Sequence, residues 1–480
     1  MKCRLARKLF SLSAGLFALA LASQAQELEQ QQPLPKITAN VKEVLVPVIV
    51  TDAKGHHVSG LKRSDFQVSE DGVPQQIVSF RTTVESAAAE AARQTGPVAG
   101  VPAGIAVKPA DRPAPASNTV RRTYLICIDT LHSSFASFGR VKDALLKSLR
   151  QEQGTDTQYA LMALGRDLTV VKDSTTDVTV IVAAIASKSF AKMIQTSEAA
   201  STAIALQQFR ALMQNYCSVC ACDSNGATGY KGTSQGAQSD GPGCPAVKGR
   251  VKAFLFSFEE RTYLLNRNFL RQLNELVRAT ASMPTSRTII FISDGFNRFP
   301  GRELYGIVQG FAPHDHTFQF PSKDTESELQ AILKAATGYD VKFYTLDSRG
   351  VYSSAFSAGG TFDASTAYSS TPAQMDARNV PTEATATMDS VDRQGASVAR
   401  ENADAMAQLA HETGGLFFQN SNDLPKGITR ALTDTREYYL LAYVPKNEAP
   451  DGKYRKIKVE VNGGDKFQVS AKAGYWAPER

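Results

Sequence analysis

Tyr124-Leu125-Ile126-Cys127-Ile128 closes on Asp129, and Thr288-Ile289-Ile290-Phe291-Ile292-Ser293 closes on Asp294-Gly295. A continuous apolar run of about five residues fits a strand buried on both faces, the kind found in parallel sheets. In an open α/β sheet, ligands bind outside the carboxyl ends of such strands. Two strand ends that each carry a carboxylate therefore mark a place where one hard cation could be shared.

Outward from these strands the pattern alternates strand with helix. Val141, Ala144, Leu145 and Leu149 share one face of a helix predicted over 138–150, and Tyr159–Leu164 reads as the next strand. Helices follow over 178–194 and 198–215. A Cys/Gly/Ser-rich insert, 216–249, interrupts, and a helix over 263–281 leads into the strand that ends at Asp294. Helix 326–337 and strand 341–346 come next, then a Ser/Thr/Ala-rich insert, 350–398. Helix 398–413 stops at Gly414-Gly415 as a helix end should, and strand 416–418 and helix 424–434 complete the series. Alternation of this kind predicts an α/β domain over 120–437, a doubly wound, mostly parallel sheet with helices on both faces.

Both flanks read as β. Val44–Thr51 is a strand with Pro47 near an edge or bulge, Asp52–Gly55 a turn, and Phe66–Glu70 alternates with period two before Asp71-Gly72 turns the chain back toward Ile77–Phe80. At the other end, 439–444, 456–461 and 467–470 are strands, with Asn462-Gly463-Gly464 as a hairpin turn. Segments of about 45 residues sit near the lower limit for an independent core. The amino-terminal module, 37–83, is therefore expected to pair with 438–480 into one β-sandwich-like module. Between the first module and the α/β domain, 84–119 is an Ala/Pro-rich linker.

The chain has 480 residues, 42% hydrophobic and 21% charged, as in ordinary folded domains. The formal charge is +6, but Lys2, Arg4, Arg7 and Lys8 supply four of those charges, which leaves +2. That balance gives no argument for nucleic acid. Those basic residues precede an apolar stretch, Leu9–Ala22, and Ser23-Gln24-Ala25 suits cleavage after Ala25. Residues 1–25 read as a signal peptide and 26–36 as a polar spacer. The apolar stretch is shorter than the roughly 20 residues of a span, and no later segment is long and apolar enough. The expected mature chain is exported, to periplasm, cell envelope or medium, with no transmembrane segment after signal removal.

Cys127 lies in a buried strand and reads as a small core hydrophobe. Cys217, Cys220, Cys222 and Cys244 fall in one segment, and export favours two disulfides among them. A zinc site is the alternative, with irregular spacing against it. Gly232-Thr233-Ser234-Gln235-Gly236 matches a nucleophile elbow but lacks the flanking strand and helix that motif needs. His411-Glu412 lacks the second His of a zincin and reads as a helix end, and His56-His57 as a solvated turn. The missing motifs argue against an enzyme.

The strand ending in Asp129, the Phe291-Ile292-Ser293-Asp294-Gly295 turn and the closing Leu409-Ala410-His411-Glu412-Thr413-Gly414-Gly415 resemble a von Willebrand factor A domain. With Gly60–Gly72 before it and Tyr438–Tyr443, Lys456–Val459 and Gly474-Tyr475 after it, the chain resembles the exported bacterial VWFA-related family of the Acidobacterial type. That resemblance implies a metal-ion-dependent adhesion site, with Asp129, Ser133 and Asp294 holding Mg²⁺ or Mn²⁺. Leu131 departs from the pattern, standing where the first loop of that site carries a Ser. On the residues alone, Asp129 has the other reading of a helix cap and Asp294 that of a turn former. The resemblance implies protein–protein or surface adhesion toward a protein or cell-surface ligand. The alternative is a metal-free interaction scaffold.

Overall fold

Residues 43–82, 122–151, 157–195, 198–220, 241–283, 286–312, 315, 317–318, 323–350, 400–419, 421–434 and 437–479 are described by a computed structural model. The signal and spacer segments, the 84–119 linker, Cys222, Gly232–Gly236 and nearly all of 350–398 lie outside the described residues. The first β segment supplies β1 (Val44–Asp52), β2 (Phe66–Glu70), β3 (Val73–Gln75) and β4 (Ile77–Thr82). The α/β domain opens with β5 (Arg122–Asp129), α1 (Phe135–Arg150), β6 (Thr157–Leu164) and β7 (Leu168–Thr175). Four helices follow: α2 (Val178–Ala186), α3 (Lys188–Gln195), α4 (Glu198–Val219) and α5 (Cys244–Ala279). Then come β8 (Ser286–Ser293), α6 (Arg302–Phe311), α7 (Glu326–Gly338), β9 (Val341–Asp347), α8 (400–413), β10 (Phe417–Phe418) and α9 (Leu424–Asp434). The chain closes with β11 (Tyr439–Tyr443), β12 (Tyr454–Val461), β13 (Phe467–Ala471) and β14 (Gly474–Trp476).

Six strands of the α/β domain form one sheet in the order β10-β9-β8-β5-β6-β7. All neighbours are parallel except β7, which runs antiparallel to β6. β7 carries no long apolar run and is half-exposed at the sheet edge, so its sequence gives little strand signal. The chain winds outward from β5 in both directions, through β6 to β7 and through β8 to β10. The order reverses between β5 and β8, and the crevice outside their carboxyl ends is where such sheets bind ligands.

Burial on both faces is written into β5. Tyr124, Ile126 and Ile128 join one core with residues of α1, α2, α3 and α9. Leu125 and Cys127 join a second with residues of α5, α7 and α8. Cys127 is a free, fully buried cysteine, and burial pushes its thiol far up, so it acts as a hydrophobe. Gly415, two residues past α8, lies where a Cβ would meet the Phe343 carbonyl oxygen at 1.9 Å. Gly415→Ala must push β9 from its neighbour, and a loss of about 3 kcal/mol or more is expected in a denaturant melt.

Two sequence expectations shift here. The stretch 178–194 is not one helix but α2 and α3, broken at Ser187, whose extended backbone ends α2 and whose Oγ accepts from Phe190 N at 3.2 Å. The 216–249 insert is narrower than its composition implied, because α4 runs through Val219 and α5 starts at Cys244 and continues for 36 residues. Pro245 sits in the first turn of α5, where its missing N–H costs nothing. A disulfide joins Cys220 to Cys244, and Cys217 is also disulfide-bonded. Around that hinge α4, the first half of α5 and α6 build a third core from Phe209, Met213, Val251, Leu255 and Leu304. The Cys220–Cys244 bridge spans 24 residues, so its reduction is expected to cost about 3 kcal/mol, read as earlier melting of this helical lobe. No single helix among the described residues is long and apolar enough to cross a membrane.

The flanking strands form two four-stranded sheets, β13-β1-β11-β4 and β14-β12-β2-β3. They share one core, to which β1 gives Val46, Val48 and Val50, β2 gives Phe66 and Val68, β11 gives Leu441 and Tyr443, and β12 gives Ile457 and Val461. Both ends of the chain thus contribute to both sheets. Pro47 lies in an internal strand, not at an edge. β11 pairs with Val44–Val48 and β13 only from Val48 onward, so Pro47 faces one neighbour, Leu440, and its absent N–H breaks no second ladder. Asp71 and Gly72 turn β2 into β3 with φ of 49° and 81°, as a two-residue hairpin needs. Asn462-Gly463-Gly464 corrects an expectation: it joins no paired strands, because β12 pairs with β2 and β14 while β13 pairs with β1. The turn instead carries the chain from one sheet to the other.

Candidate functional site at the carboxyl end of the sheet

Asp129 ends β5 fully buried. Its Oδ1 accepts from Leu131 N at 2.8 Å and His132 N at 2.9 Å, closing the loop after the strand. Its Oδ2 faces His132 Nδ1 at 2.9 Å and accepts from Ser293 Oγ at 2.5 Å. A carboxylate offers about four lone-pair directions, and here each is taken by a donor of the same chain. The cap of α1 is Ser134, not Asp129, since Ser134 Oγ accepts from Ser137 N at 3.2 Å.

Asp294 follows β8 and is partly exposed. Its Oδ2 accepts from Ser134 N at 2.9 Å and its Oδ1 from Ser348 Oγ at 2.5 Å, so it ties the loops after β5 and β9 to its own. Asp294 N in turn donates to Ser133 Oγ at 3.3 Å. Burial pushes the Asp294 carboxyl up, against the hydrogen bonds from Ser348, Ser134 and Ser137 and the nearby Arg349. Gly295 takes φ of 90° where a Cβ would strike the Asn402 backbone, and its N–H donates to Ser293 Oγ at 2.8 Å. The rim is finished by Arg349, which forks onto Asp347, by Arg140, which donates to the Ser348 and Arg349 carbonyls, and by Phe135, 56% exposed at the start of α1.

The structure therefore brings Asp129, Ser133 and Asp294 into one hydrogen-bonded group. It adds His132, Asn266, Ser293 and Ser348, which the sequence reading passed over. His132 lies three residues after Asp129, inside the loop already singled out, but its partner Asn266 is 134 residues away on α5 and no local pattern joins them. His132 Nε2 meets Asn266 Oδ1 at 2.9 Å, and Asn266 Nδ2 donates to the Asn297 carbonyl at 2.9 Å. The imidazole also stands edge-on to Phe269, with ring centroids 4.6 Å apart. Burial acts to lower the proton affinity of His132. The Asp129 charge and the hydrogen bonds with Asp129 and Asn266 outweigh it, so the net direction is up.

A divalent ion of the Mg²⁺ or Mn²⁺ kind wants about six oxygens in an octahedron. Leu131, 3% exposed, is packed in the core and offers none. To reach Asp129, the ion would have to displace His132 or Ser293. In this arrangement the residues present do not fit a divalent metal. Elsewhere, His57 is held by Asp434 at 3.1 Å while His56 stays exposed, so half of that solvated pair is a structural contact.

No protein-family model matches the chain, and no curated protein matches it. Among solved structures, an aerotolerance-related membrane protein from Bacteroides fragilis is similar over 65% of this chain and 98% of its own, at 10% identity and a TM-score of 0.24. The conserved hypothetical protein BatB from Bacteroides thetaiotaomicron is similar over 65% of this chain and 97% of its own, at 10% identity and a TM-score of 0.25. An uncharacterized membrane-spanning protein from Vibrio fischeri gives 66% and 98%, at 12% identity and a TM-score of 0.14. Likenesses of this size carry no functional argument.

Proposed function

We propose that this is an exported interaction protein of the von Willebrand A kind. Its sheet crevice between β5 and β8 meets a protein or cell-surface ligand without a bridging metal, at the envelope or outside it. The observation that supports this most is the state of the two strand-end carboxylates at the switch point. Asp129 is internalised by donors of its own chain, whereas Asp294 stays partly exposed and accepts from Ser134 N, next in the chain to the exposed Phe135. An exposed aromatic beside a charged rim has the make-up of a contact anchor.

The test is retention of solubilised envelope proteins on the immobilised chain, with and without EDTA. Retention unchanged by EDTA and weakened more than about tenfold by Phe135→Glu is expected, the size of a contact hot spot. A second reading, Mg²⁺ or Mn²⁺ held by Asp129, Ser133 and Asp294, draws on the contact between Ser133 and the Asp294 backbone. Retention abolished by EDTA and restored by Mg²⁺ would favour that reading and sink the first.

A further inference from the structure

We propose that Lys342, Lys472 and Tyr438 form a binding site for a small oxyanion of the phosphate or sulfate kind, at the amino end of the sheet and so opposite the crevice. Lys342 is the second residue of β9. Alternation along the strand sets it on the face of Tyr344, which is fully buried. Lys342 is itself only 7% exposed, and lysine is almost never buried to this degree unless paired. Its ammonium stands over the Tyr438 ring, 5.2 Å from the centroid. Among the described residues no carboxylate forms an ion pair with Lys342 or Lys472, and neither ammonium makes a hydrogen bond.

A glycine pair brings the second lysine there. Gly414 and Gly415 follow α8 and leave no room for a Cβ, Gly414 against Lys472 N and Gly415 against the Phe343 carbonyl. Ala473 N donates to the Glu412 carbonyl at 3.2 Å, and Phe343 N donates to Thr413 Oγ1 at 2.9 Å. The residues beside both lysines are thus pinned to one turn. Lys472 is half-buried, and the charge of Arg122 reaches Tyr438 from the start of β5. Against these cations stands Asp340, exposed just before β9. Asp434 is already held by Arg430 at 3.2 Å and by His57 at 3.1 Å. Burial lowers the proton affinity of both lysines, and the two charges oppose each other at Lys342. Asp340, with Asp434 at Lys342, acts the other way without reversing the direction. The surplus is positive and partly out of water, which is costly without a partner. An ammonium offers three donors and no acceptor, so a negatively charged, acceptor-only ligand completes the pair. The recess at Lys342 admits a small ion and not the continuous backbone of a nucleic acid.

The experiment uses the mature chain, 26–480, with sodium phosphate as the probe, in calorimetry and thermal shift, against sodium chloride at matched ionic strength. Wild type is expected to give saturable heat and a saturable rise in Tm, by mass action on the folded state. Sulfate should act as phosphate does, and acetate weakly. Lys342→Met keeps the stem and removes the charge, so it should melt no lower than wild type in chloride and lose the phosphate response. Should Lys342→Met not fold, Lys472→Gln gives the equivalent result, a phosphate affinity weakened more than about tenfold, the size of a lost charged contact. A wild type that ignores phosphate would overturn the proposal, as would a folded Lys342→Met that responds as wild type does or a response to acetate alone. Partner retention at the crevice is read separately and should be unchanged in Lys342→Met.

Discussion

A fragment of residues 37–83 expressed alone is expected to show no cooperative thermal transition. β1, its longest strand, is paired on one side with β11 and on the other with β13, both from the far end of the chain. β4 is paired with β11, and β2 is paired with β12 as well as β3. Without residues 438–480 the fragment keeps one short hairpin, and an isolated hairpin is at best marginal in water. Its apolar side chains, Val46, Val48, Val50, Phe66 and Val68, would lose the facing Leu441, Tyr443, Ile457 and Val461. Mixing the fragment with a 120–480 chain should restore ordered β signal in circular dichroism. A sharp, reversible melt of 37–83 by itself would contradict the shared sandwich.

This part of the architecture was legible because each β segment is too small to bury its own apolar face, so the two had to find each other. The parallel strands were legible for a related reason: runs such as Tyr124–Ile128 have no polar face to give to water. β7 and β3 were not legible, since both are edge strands, chemically mixed and partly exposed, and β3 is only three residues long. The start of α5 was hidden inside the Cys/Gly/Ser-rich composition of 216–249, although Pro245 there is a residue a helix start tolerates. At the site, the carboxylates stood out as strand-end residues, while Asn266 entered only through the packing of α5 against the loop after β5. Hydrogen bonds across 134 residues leave no periodic trace in a single sequence.

Asp129→Ala is expected to cost about 3–5 kcal/mol of stability, the range for breaking a buried ion pair from one side. The substitution strips His132 Nδ1 of its partner and removes the acceptor for Leu131 N, His132 N and Ser293 Oγ. Urea melts of wild type and variant measure the loss, and a difference below about 1 kcal/mol, the level of exposed pairs, would mean that Asp129 holds little. The pair also sets a pH dependence. Burial works against the charge on His132, but Asp129 and Asn266 raise its proton affinity overall. A histidine raised in the folded state gives stability that is whole below its unfolded pKa of about 6.5 and is lost as pH climbs through the higher folded value. Wild-type stability should therefore fall as pH rises above about 6.5, with a slope that His132→Ala lacks.

The central claim is that donors of the chain's own loops, His132 Nδ1 among them, hold the Asp129 carboxylate at this crevice. Long-range ¹H–¹⁵N correlation of the histidine rings near neutral pH, assigned with His132→Ala, tests it most directly. A proton on Nδ1 of His132, the nitrogen that faces Asp129, is the expected result. A bare Nδ1 would contradict the account.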